Sequence, residues 1–389
     1  MEEAKIYFGS TPAMKEKKRE IKSPFNDKVV ALYPVCDAED ANKALRIAKE
    51  AFEKHKFTPL SRRVQWLRDV AAKLKERKEE FALTITKEIG KPISFSRVEV
   101  DRAIETIELS ADFAVGLGGE TINTDATPSG RRTMSYYKRV PLGVVVAITP
   151  FNFPLNLSAH KLAPALVAGN SVVYKPTPEA PLTGYKLAKL FIESEYAVPD
   201  MLSVVYGDAE VGSALVRSDI PRKISFTGSV QVGKIITQNA GIKKISLELG
   251  GNAATFIDES ADIKEAAGRC AVGAFINSGQ VCISLQRIYV HEKVYEEFAK
   301  ALAEDTKKLK VGDPYEPDTF MGPLINEEAA IRAERWMRSA IEQGARPILE
   351  GRREGRYFYP AILADVTDDM QIVCEEVFAP IVSLVKVSG

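Results

Sequence analysis

The stretch VPLGVVVAITPFNFPLNLSAHKLAPALVAGNSVVYKP, residues 140–176, decides the fold. It holds two short apolar runs, at 143–148 and 171–174, whose length and valine content are typical of buried strands. The segment between them predicts a helix over 158–168. A strand, a helix and a second strand in this order predict a parallel βαβ unit with a right-handed crossover.

The same alternation continues along the chain. It predicts helices over 183–194 and 209–216, and strands over 202–206 and 223–226. Sheets of this kind bind ligands beyond the carboxyl ends of their strands. The loops that follow the strands are therefore the expected positions of a binding site.

The flanking segments have other patterns. Before the βαβ unit, apolar residues at helical spacing predict helices over 37–55, 60–89 and 98–115. Alternating residues around Pro128-Ser-Gly130 predict a β-hairpin or extended arm over 121–139. After Gly250-Gly251, a candidate domain hinge, a second α/β pattern predicts helices over 263–276 and 293–309 and a strand over 286–290.

Composition excludes several functional classes. The chain has 53 basic residues (Lys and Arg) and 53 acidic residues (Asp and Glu). It therefore lacks the excess of basic residues that would indicate binding to nucleic acid. The 4 cysteines form no CxxC pair, and the 3 histidines lack metal-ligand spacing, so we expect a site without metal and without a histidine base. No apolar run is long enough to cross a bilayer, and no signal peptide is recognisable, so a cytoplasmic location is the expectation.

Cys282 is the first candidate for chemistry, in the segment Asn277-Ser-Gly-Gln-Val-Cys-Ile283. Small and polar residues before it indicate a loop or a helix start, where backbone amides would lower the thiol pKa and could donate to an oxyanion. The alternative is a buried cysteine that packs as a small apolar residue. For Cys270 and Cys374, which lie in apolar patterns, we favour that alternative.

Two further candidates follow predicted strands. Glu248, in Leu247-Glu-Leu-Gly-Gly251, is a carboxylate that burial would adapt to general-base work, unless it is a rim carboxylate in water. Asn152 lies in the loop Thr149-Pro-Phe-Asn-Phe-Pro154 and could offer its amide to an oxyanion. Turn chemistry alone would also account for that asparagine.

A glycine loop after the strand at 223–226 indicates a phosphate site. Gly228 and Gly233 are spaced GxxxxG and are followed by Lys234, which nearly gives a Walker A motif. The next residue is Ile235 where that motif needs Ser or Thr for magnesium. ATP binding is therefore a minor alternative, whereas a helix N-terminus that receives phosphate fits the pattern.

Taken together, these segments resemble the aldehyde dehydrogenase superfamily. The motifs occur in that family's order, and they are PFNFP (150–154), KPTPEAP (175–181), FTGSVQVG (226–233), LELGG (247–251), SGQVC (278–282) and EEVFAP (375–380). The resemblance implies an α/β fold with a Rossmann-like cofactor domain, an α/β catalytic domain and a β-hairpin oligomerisation arm. The implied boundaries are 1–120 with 141–249 for dinucleotide binding, 121–140 for the arm and 250–389 for the catalytic domain.

The resemblance also implies catalytic roles. Cys282 would attack the aldehyde carbon to give a thiohemiacetal, with Asn152 and the Cys282 amide stabilising the oxyanion. After hydride transfer to a nicotinamide, Glu248 would activate the water that hydrolyses the thioester. Lys161 would lie close behind this site, and Phe153, Val281 and Ile283 would flank the reacting carbon.

The implied cofactor is NADP or NAD. Lys175 would reach the adenosine ribose, with Thr177 beside it, and Glu376 and Phe378 would hold the nicotinamide side. Gly228, Ser229 and Gly233 would meet the pyrophosphate. Pro178 stands where relatives specific for NAD often carry a glutamate, so a 2′-phosphate would meet less repulsion and could pair with Lys175. We therefore predict that NADP is accepted. Ala379 stands where the family usually has glycine.

The expected substrate is a small aldehyde of the lactaldehyde or glyceraldehyde type, and no nucleic acid or membrane partner is expected. The resemblance further implies a homodimer or homotetramer of the full-length protein, and a catalytic domain that continues beyond residue 389. Two alternatives stay open: a non-catalytic relative with a binding or structural role, and a CoA-acylating dehydrogenase. Because CoA-acylating relatives often lack the glutamate at position 248, its presence favours hydrolysis.

Overall fold

The computed structural model describes residues 2–130 and 132–388. Short strands and long helices form the first third of the chain. They are β1 (Glu2–Glu3), β2 (Ile6–Phe8), β3 (Thr11–Ala13), β4 (Lys18–Lys22), β5 (Val29–Pro34), α1 (Ala38–His55), α2 (Leu60–Glu76), α3 (Lys78–Ile89), α4 (Ile93–Val115), β6 (Gly119–Ile122) and β7 (Ser135–Lys138).

Strands and helices alternate through the middle of the chain, as the sequence predicts. They are β8 (Val144–Ile148), α5 (Asn156–Val167), β9 (Ser171–Lys175), α6 (Pro181–Ile192), β10 (Leu202–Val204), α7 (Ala209–Arg217), β11 (Pro221–Thr227), α8 (Val230–Asn239) and β12 (Lys244–Glu248).

The last third repeats the α/β pattern. Its elements are β13 (Ala254–Ile257), α9 (Ile263–Phe275), β14 (Arg287–His291), α10 (Tyr295–Lys307), α11 (Glu327–Glu342), β15 (Arg346–Leu349), β16 (Arg353–Glu354), β17 (Tyr357–Phe358), β18 (Ala361–Ala364), α12 (Gln371–Cys374) and β19 (Ile381–Val387).

A seven-stranded sheet in the order β12-β11-β8-β9-β10-β2-β3 carries the candidate site. The five strands from β12 to β10 are parallel, and β2 and β3 extend the sheet antiparallel. The parallel strands arise from consecutive βαβ units, so their carboxyl ends lie along one edge. The α/β fold class predicted from the sequence is confirmed.

A second sheet, in the order β13-β14-β19-β18-β15, is formed by residues after Gly251. Its strands are parallel except for the β15–β18 pair. Buried apolar residues within 4–240 form one core, and those within 257–384 and 324–381 form two smaller ones. The chain therefore passes from the first core to the others between β12 and β13, next to the Gly250-Gly251 pair. The domain boundaries themselves stay a prediction.

Three details of the N-terminal segment differ from the sequence-based expectations. The strands β1–β5 lie in a segment for which the pattern predicted no element. The helix expected over 60–89 is interrupted at Arg77 (φ −104°, ψ 19°), which divides it into α2 and α3. The third helix begins at Ile93 rather than at residue 98. By contrast, Asp37 caps α1 as predicted, accepting from the amides of Glu39 and Asp40.

The predicted hairpin is present, with bounds that differ slightly from those expected. β6 pairs antiparallel with β7, from Gly119 opposite Lys138 to Ile122 opposite Ser135. The strands project exposed apolar side chains, among them Ile122, Tyr136 and the nearby Met134. An exposed group of this kind is a candidate contact surface, and its role as an oligomerisation arm stays a prediction.

Candidate active site

A cavity of about 620 Å³ lies against one face of the seven-stranded sheet and reaches the carboxyl ends of β11 and β12. Alternate residues of these strands share one face, and the polar ones here are Lys223, Ser225, Thr227, Ser246 and Glu248. Helix α5 contributes His160 and Lys161 to the wall, and Cys282 lies in the wall as well. The fold thus brings together three residues, Cys282, Glu248 and Lys161, that are far apart in sequence.

Cys282 is exposed in a turn after the end of α9, so of the two expected settings, a loop or a helix start, the structure has the loop. The expected net lowering of its thiol pKa is wrong. Partial burial raises the pKa of Cys282, and the charges of Glu376 and Glu248 act in the same direction. The amides of Cys282 and Ile283 do lower the pKa, as expected, but they do not outweigh the other effects.

The backbone before Cys282 adopts an uncommon conformation. Asn277, Ser278 and Gly279 all have positive φ, at 50°, 57° and 72°. For non-glycine residues this region costs about 1–3 kcal/mol each and persists only where surrounding contacts enforce it. The contacts here are a hydrogen bond from Ser278 Oγ to the Gly322 carbonyl at 2.8 Å and one from the Ile325 amide to Gln280 Oε1 at 3.0 Å.

Asn152 is buried beside this turn and does not line the large cavity. Its Nδ2 donates to the Gln280 carbonyl at 3.0 Å, and its Oδ1 accepts from the Phe153 amide at 3.1 Å. The bond to Gln280 uses one of the two N–H donors of the amide group. Asn152 is therefore fixed to Gln280, which lies two residues before Cys282 in the chain, and it keeps a second donor.

Glu248 ends β12 with its side chain exposed at the rim of the cavity, so of the two expected settings, a buried carboxylate or a rim carboxylate in water, the structure has the second. The backbone at Glu248 is held in position, because the Glu248 carbonyl accepts a hydrogen bond from the Gly228 amide at 3.1 Å. The carboxylate faces the cavity that Cys282 also lines. Water in the cavity can therefore reach it.

Lys161 is buried on α5 and donates to Ser225 Oγ at 3.2 Å. Burial lowers the pKa of this ammonium to about 8; the charge of Lys223 acts in the same direction, whereas Glu248 raises the pKa. The influence of Glu248 indicates that the two charges are close. Lys161 can thus carry or release a proton near neutral pH.

A smaller cavity of about 150 Å³ lies on the other side of the Cys282 turn. Phe153, Val281 and Ile283 line it together, as the sequence led us to expect for residues that flank the reacting carbon. Arg102 of α4 also lines it, with an exposed side chain and, among residues 2–130 and 132–388, no ion pair within 4 Å. Partial burial lowers the pKa of His160, and the charges of Arg102 and Lys161 lower it further, so the Arg102 cation lies near a residue of the larger cavity as well.

Of the predicted cofactor residues, Lys175 ends β9 and Thr177 follows it, and both are buried. Burial lowers the pKa of Lys175, while the nearby carboxylates of Glu179 and Asp208 oppose this effect. The Thr177 hydroxyl donates to the Glu179 carboxylate. In the described part of the chain Lys175 has no ion-pair partner within 4 Å, so its ammonium can meet a ligand hydroxyl or phosphate.

Gly228, Ser229 and Gly233 form the turn from β11 into α8. Ser229 caps the helix by accepting from the Val232 amide at 3.3 Å. A Cβ atom at Gly233 would lie 2.7 Å from Leu249 Cδ2, and one at Gly228 would lie 2.5 Å from Phe226 Cζ. Close packing thus requires both glycines, and the spacing that resembles a Walker A motif needs no nucleotide to explain it.

Glu376 and Phe378 lie against the segment that follows β12. The Gly251 amide donates to Glu376 Oε1 at 3.4 Å, and a Cβ at Gly250 would clash with that carboxylate. The Phe378 ring packs edge-on against Phe151, with 6.1 Å between centroids. Phe378 itself takes the positive φ (50°) in this loop, so Ala379 needs no glycine conformation.

Several residues of the site were not predicted from the sequence. They are Lys91, Glu99, Arg102, Asn277 and Gln280, which line the smaller cavity or hold the turn. Lys91 and Glu99 lie on a helix boundary and an amphipathic helix, where charged residues are ordinarily solvated. Only the folded chain shows that they are buried.

No helix in 2–130 or 132–388 is long and apolar enough to cross a membrane. Within the same described residues, no group of three or more His, Cys, Asp or Glu side chains is arranged to hold a metal ion.

Comparison with known proteins places these features in context. Residues 11–389 match the profile of the Aldehyde dehydrogenase family. The 3-sulfolactaldehyde dehydrogenase of Priestia aryabhattai is 43% identical over 371 residues, which cover 95% of this chain and 77% of that protein. The lactaldehyde dehydrogenase of Methanococcus aeolicus is 40% identical over 373 residues, 95% of this chain and 79% of that protein.

A solved structure shows the same architecture. The NADP-dependent glyceraldehyde-3-phosphate dehydrogenase from Bacillus halodurans, complexed with NADP, superimposes with a TM-score of 0.97 at 33% identity. The match covers 100% of this chain and 82% of that one.

Proposed function

The chain belongs to the aldehyde dehydrogenase family, and we propose that it oxidises a short polar aldehyde to a carboxylic acid, with NADP or NAD, through a thioester on Cys282. The observation that carries the proposal is that Cys282 and Glu248 line one cavity with Lys161. A nucleophile and a base in a shared cavity are what acyl transfer to water requires.

The first half of the reaction uses the Cys282 turn. The Cys282 sulfur attacks the aldehyde carbon, and its proton passes to a base in the cavity, for which Glu248 is our candidate. The carbonyl oxygen becomes an oxyanion that accepts from the free N–H of Asn152 Nδ2 and from the Cys282 amide. Because the turn and Asn152 are fixed by hydrogen bonds, these donors need no reorganisation during the step.

The second half uses the exposed position of Glu248. The nicotinamide of a bound cofactor supplies the hydride acceptor, and the thioester on Cys282 remains. Glu248, which is open to solvent, first releases the proton it took from Cys282 to bulk water; it then takes a proton from a water that enters the cavity, and the hydroxide attacks the thioester carbon. Cys282 leaves as a thiolate, and the acid is released.

Residues of the cofactor region fit NADP. Lys175 offers a buried ammonium without an ion-pair partner among the described residues, and the capped start of α8 offers amides to a pyrophosphate. Pro178 places no carboxylate where a 2′-phosphate would lie. The NADP complex of the related Bacillus halodurans enzyme supports the same choice. The negative charges of Glu179 and Asp208 lie near Lys175 and reduce the attraction that its ammonium offers to a 2′-phosphate. We therefore propose that NAD is accepted as well as NADP.

For the substrate we propose a three-carbon 2-hydroxyaldehyde, because the relatives include lactaldehyde and 3-sulfolactaldehyde dehydrogenases. Arg102 lines the smaller cavity without a carboxylate partner in the described chain, which favours an aldehyde with an anionic far end. A charged hydrogen bond of this kind contributes about 1.5–3 kcal/mol. Arg102→Met would then raise KM for the anionic aldehyde roughly tenfold or more and leave lactaldehyde unaffected.

The experiment that tests the proposed chemistry follows reduced-cofactor absorbance with lactaldehyde, 3-sulfolactaldehyde and glyceraldehyde 3-phosphate, each with NADP and with NAD. Cys282→Ser should abolish turnover, while Cys374→Ser, the matched control at another exposed cysteine, should retain it. Glu248→Gln lacks the base for both halves, so it should form reduced cofactor more slowly than wild type and stop after at most one equivalent per chain. Turnover by Cys282→Ser at the wild-type rate would refute the thioester route.

The two alternatives predict other results. A non-catalytic relative would bind NADP without reducing it, whichever aldehyde is supplied. A CoA-acylating enzyme would need CoA for turnover and would form an acyl-CoA. The exposed Glu248 in the Cys282 cavity favours water as the acceptor.

We also propose that copies of the chain associate through the β6–β7 hairpin. Its exposed Ile122, Met134 and Tyr136 would be covered by a second copy. Light scattering coupled to size exclusion should show a dimer or tetramer, and Tyr136→Asp should shift it towards the monomer. A wild-type monomer at micromolar concentration would contradict this assignment.

A further inference from the structure

A fully buried ion pair lies next to the loop that carries Asn152. The Lys91 ammonium contacts the Glu99 carboxylate, and both side chains have 0% exposure. Lys91 follows the end of α3, and Glu99 lies in α4. Burying such a pair usually costs more free energy than its mutual attraction returns, so its position calls for a reason other than stability.

The second oxygen of Glu99 provides that reason. Glu99 Oε1 accepts from the Leu155 amide at 2.9 Å and from the Asn156 amide at 3.2 Å. These amides begin α5, whose own N-cap residue, Leu155, supplies no side-chain cap. A residue from another helix therefore satisfies the free amides at this helix start.

Lys91 fixes the same segment at a second point. Its ammonium lies 3.8 Å from the centroid of the Phe153 ring, an arrangement in which the cation is attracted to the ring face. Together the pair contacts residues 153, 155 and 156. The next residue towards the N-terminus is Asn152, whose Nδ2 reaches the Gln280 carbonyl.

We propose that Glu99, held in place by Lys91, is a positioning residue that sets where the Asn152 amide points. Glu99 acts through the Leu155 and Asn156 amides and touches no reacting atom. The structural part concerns the loop alone, and the kinetic part rests on the proposed function. Loss of the Glu99 acceptor would let the loop shift, and a shift of about 1 Å in a catalytic donor can cost up to 10²-fold in rate.

Two double variants isolate the acceptor. Lys91→Met/Glu99→Gln and Lys91→Met/Glu99→Leu both lack the two charges and the contact of Lys91 with Phe153. They differ in one respect, because glutamine keeps an oxygen for the Leu155 and Asn156 amides and leucine does not. Neither variant leaves an unpaired buried charge.

Hydrogen exchange, measured by mass spectrometry on peptides that span 150–158, reads out the loop without any reaction. We expect faster exchange at residues 155 and 156 in the leucine variant than in the glutamine variant. Glu88→Leu is the matched control, since Glu88 is buried and accepts from the Leu182 and Thr183 amides at the start of α6. It should accelerate exchange at 182–183 and leave 155–156 unchanged.

Stopped-flow measurement of reduced cofactor, at saturating cofactor, gives the kinetic readout. The hydride-transfer rate of the leucine variant should be about tenfold or more below that of the glutamine variant. The KM for NADP, measured separately by varying the cofactor, should be the same in both. Equal exchange and equal rates in the two double variants would overturn the proposal. If the leucine variant does not fold, Glu99→Asp, which withdraws the oxygen by one methylene, takes its place in both measurements.

The two readouts separate the hypotheses. A wild-type chain that reduces no cofactor with any aldehyde would refute the proposed function, and the exchange measurement would still decide the role of Glu99. An active wild type with equal exchange in the pair would refute the positioning role alone.

Discussion

Replacing Asn152 by alanine tests whether this side chain, which is hydrogen-bonded to the turn before Cys282, stabilises an oxyanion. The substitution removes the hydrogen bond to the Gln280 carbonyl (3.0 Å) and the one from the Phe153 amide (3.1 Å). It leaves the Gln280 carbonyl with only the longer contact from Asn277 Nδ2, at 3.4 Å. The change therefore affects both folding and catalysis, and the two effects need separate magnitudes.

The folding cost follows from the lost hydrogen bonds. Each is worth about 1 kcal/mol net, so the free energy of unfolding should fall by about 2 kcal/mol. The catalytic cost is larger, because removal of one oxyanion donor typically lowers kcat by about 10²–10³-fold, equivalent to roughly 3–4 kcal/mol. If Asn152→Ala affected only stability, the folded molecules would still react at the wild-type rate.

Stopped-flow absorbance of reduced cofactor, at saturating aldehyde and NADP, measures the step in which the oxyanion collapses. Asn170→Ala is the matched control. Asn170 is also buried, accepts from the Leu142 and Gly143 amides and donates to the Ala165 carbonyl. It lines the large cavity as well, but these hydrogen bonds do not involve the Cys282 turn. The control should lose comparable stability and keep its rate within threefold. If Asn152→Ala also stays within threefold of wild type, the oxyanion assignment is wrong.

Three further predictions follow from charge and burial. Because the pKa of Cys282 is raised, iodoacetamide should alkylate it at pH 7 more slowly than a free thiol, with a rate that rises into the alkaline range; alkylation at pH 7 faster than that of a free thiol would contradict the stated environment. The pKa of Lys161 is about 8 in the folded chain and 10.5 for the ordinary side chain, so the unfolded chain binds this proton more tightly. The free energy of unfolding should therefore rise by about 3 kcal/mol as the pH increases from 8 to 10.5. Denaturation of Lys161→Met at pH 8 and pH 10 should show less of that rise, and an equal rise would argue against a buried ammonium. Pro178→Glu should weaken NADP binding at least tenfold while changing the Kd of NAD less than threefold, as measured by calorimetry, and a parallel change in both would mean that the 2′-phosphate lies elsewhere.

The sequence predicts what depends on neighbours in the chain. The central strands are found because each βαβ unit is a local pattern of apolar runs. Cys282, Glu248 and Lys161 are identified because their motifs resemble those of one family, and a turn, a strand end and a helix then bring them to one cavity. In the same way Asp37 is recognised as a helix start from the acidic residues that follow it.

The sequence does not predict what depends on distant neighbours. The thiol pKa of Cys282 rises partly because Glu376 lies nearby in space, and no local pattern contains that information. Lys91 and Glu99 look like solvated charges on helices until the packing of α4 against α5 buries them. The strands β1–β5 escape prediction because two or three residues, in most of them, are too few to show an alternating pattern.

The exposure of Glu248, one of the two settings expected from the sequence, is consistent with the role that we propose for it. A general base that activates water must be reached by water, whereas oxyanion donors gain strength when water is excluded. The structure divides the two tasks accordingly. Asn152 is buried and held at two points, and Glu248 ends its strand in the open cavity. The fixed side of the site therefore suits formation of the thioester, and the solvated side suits its hydrolysis.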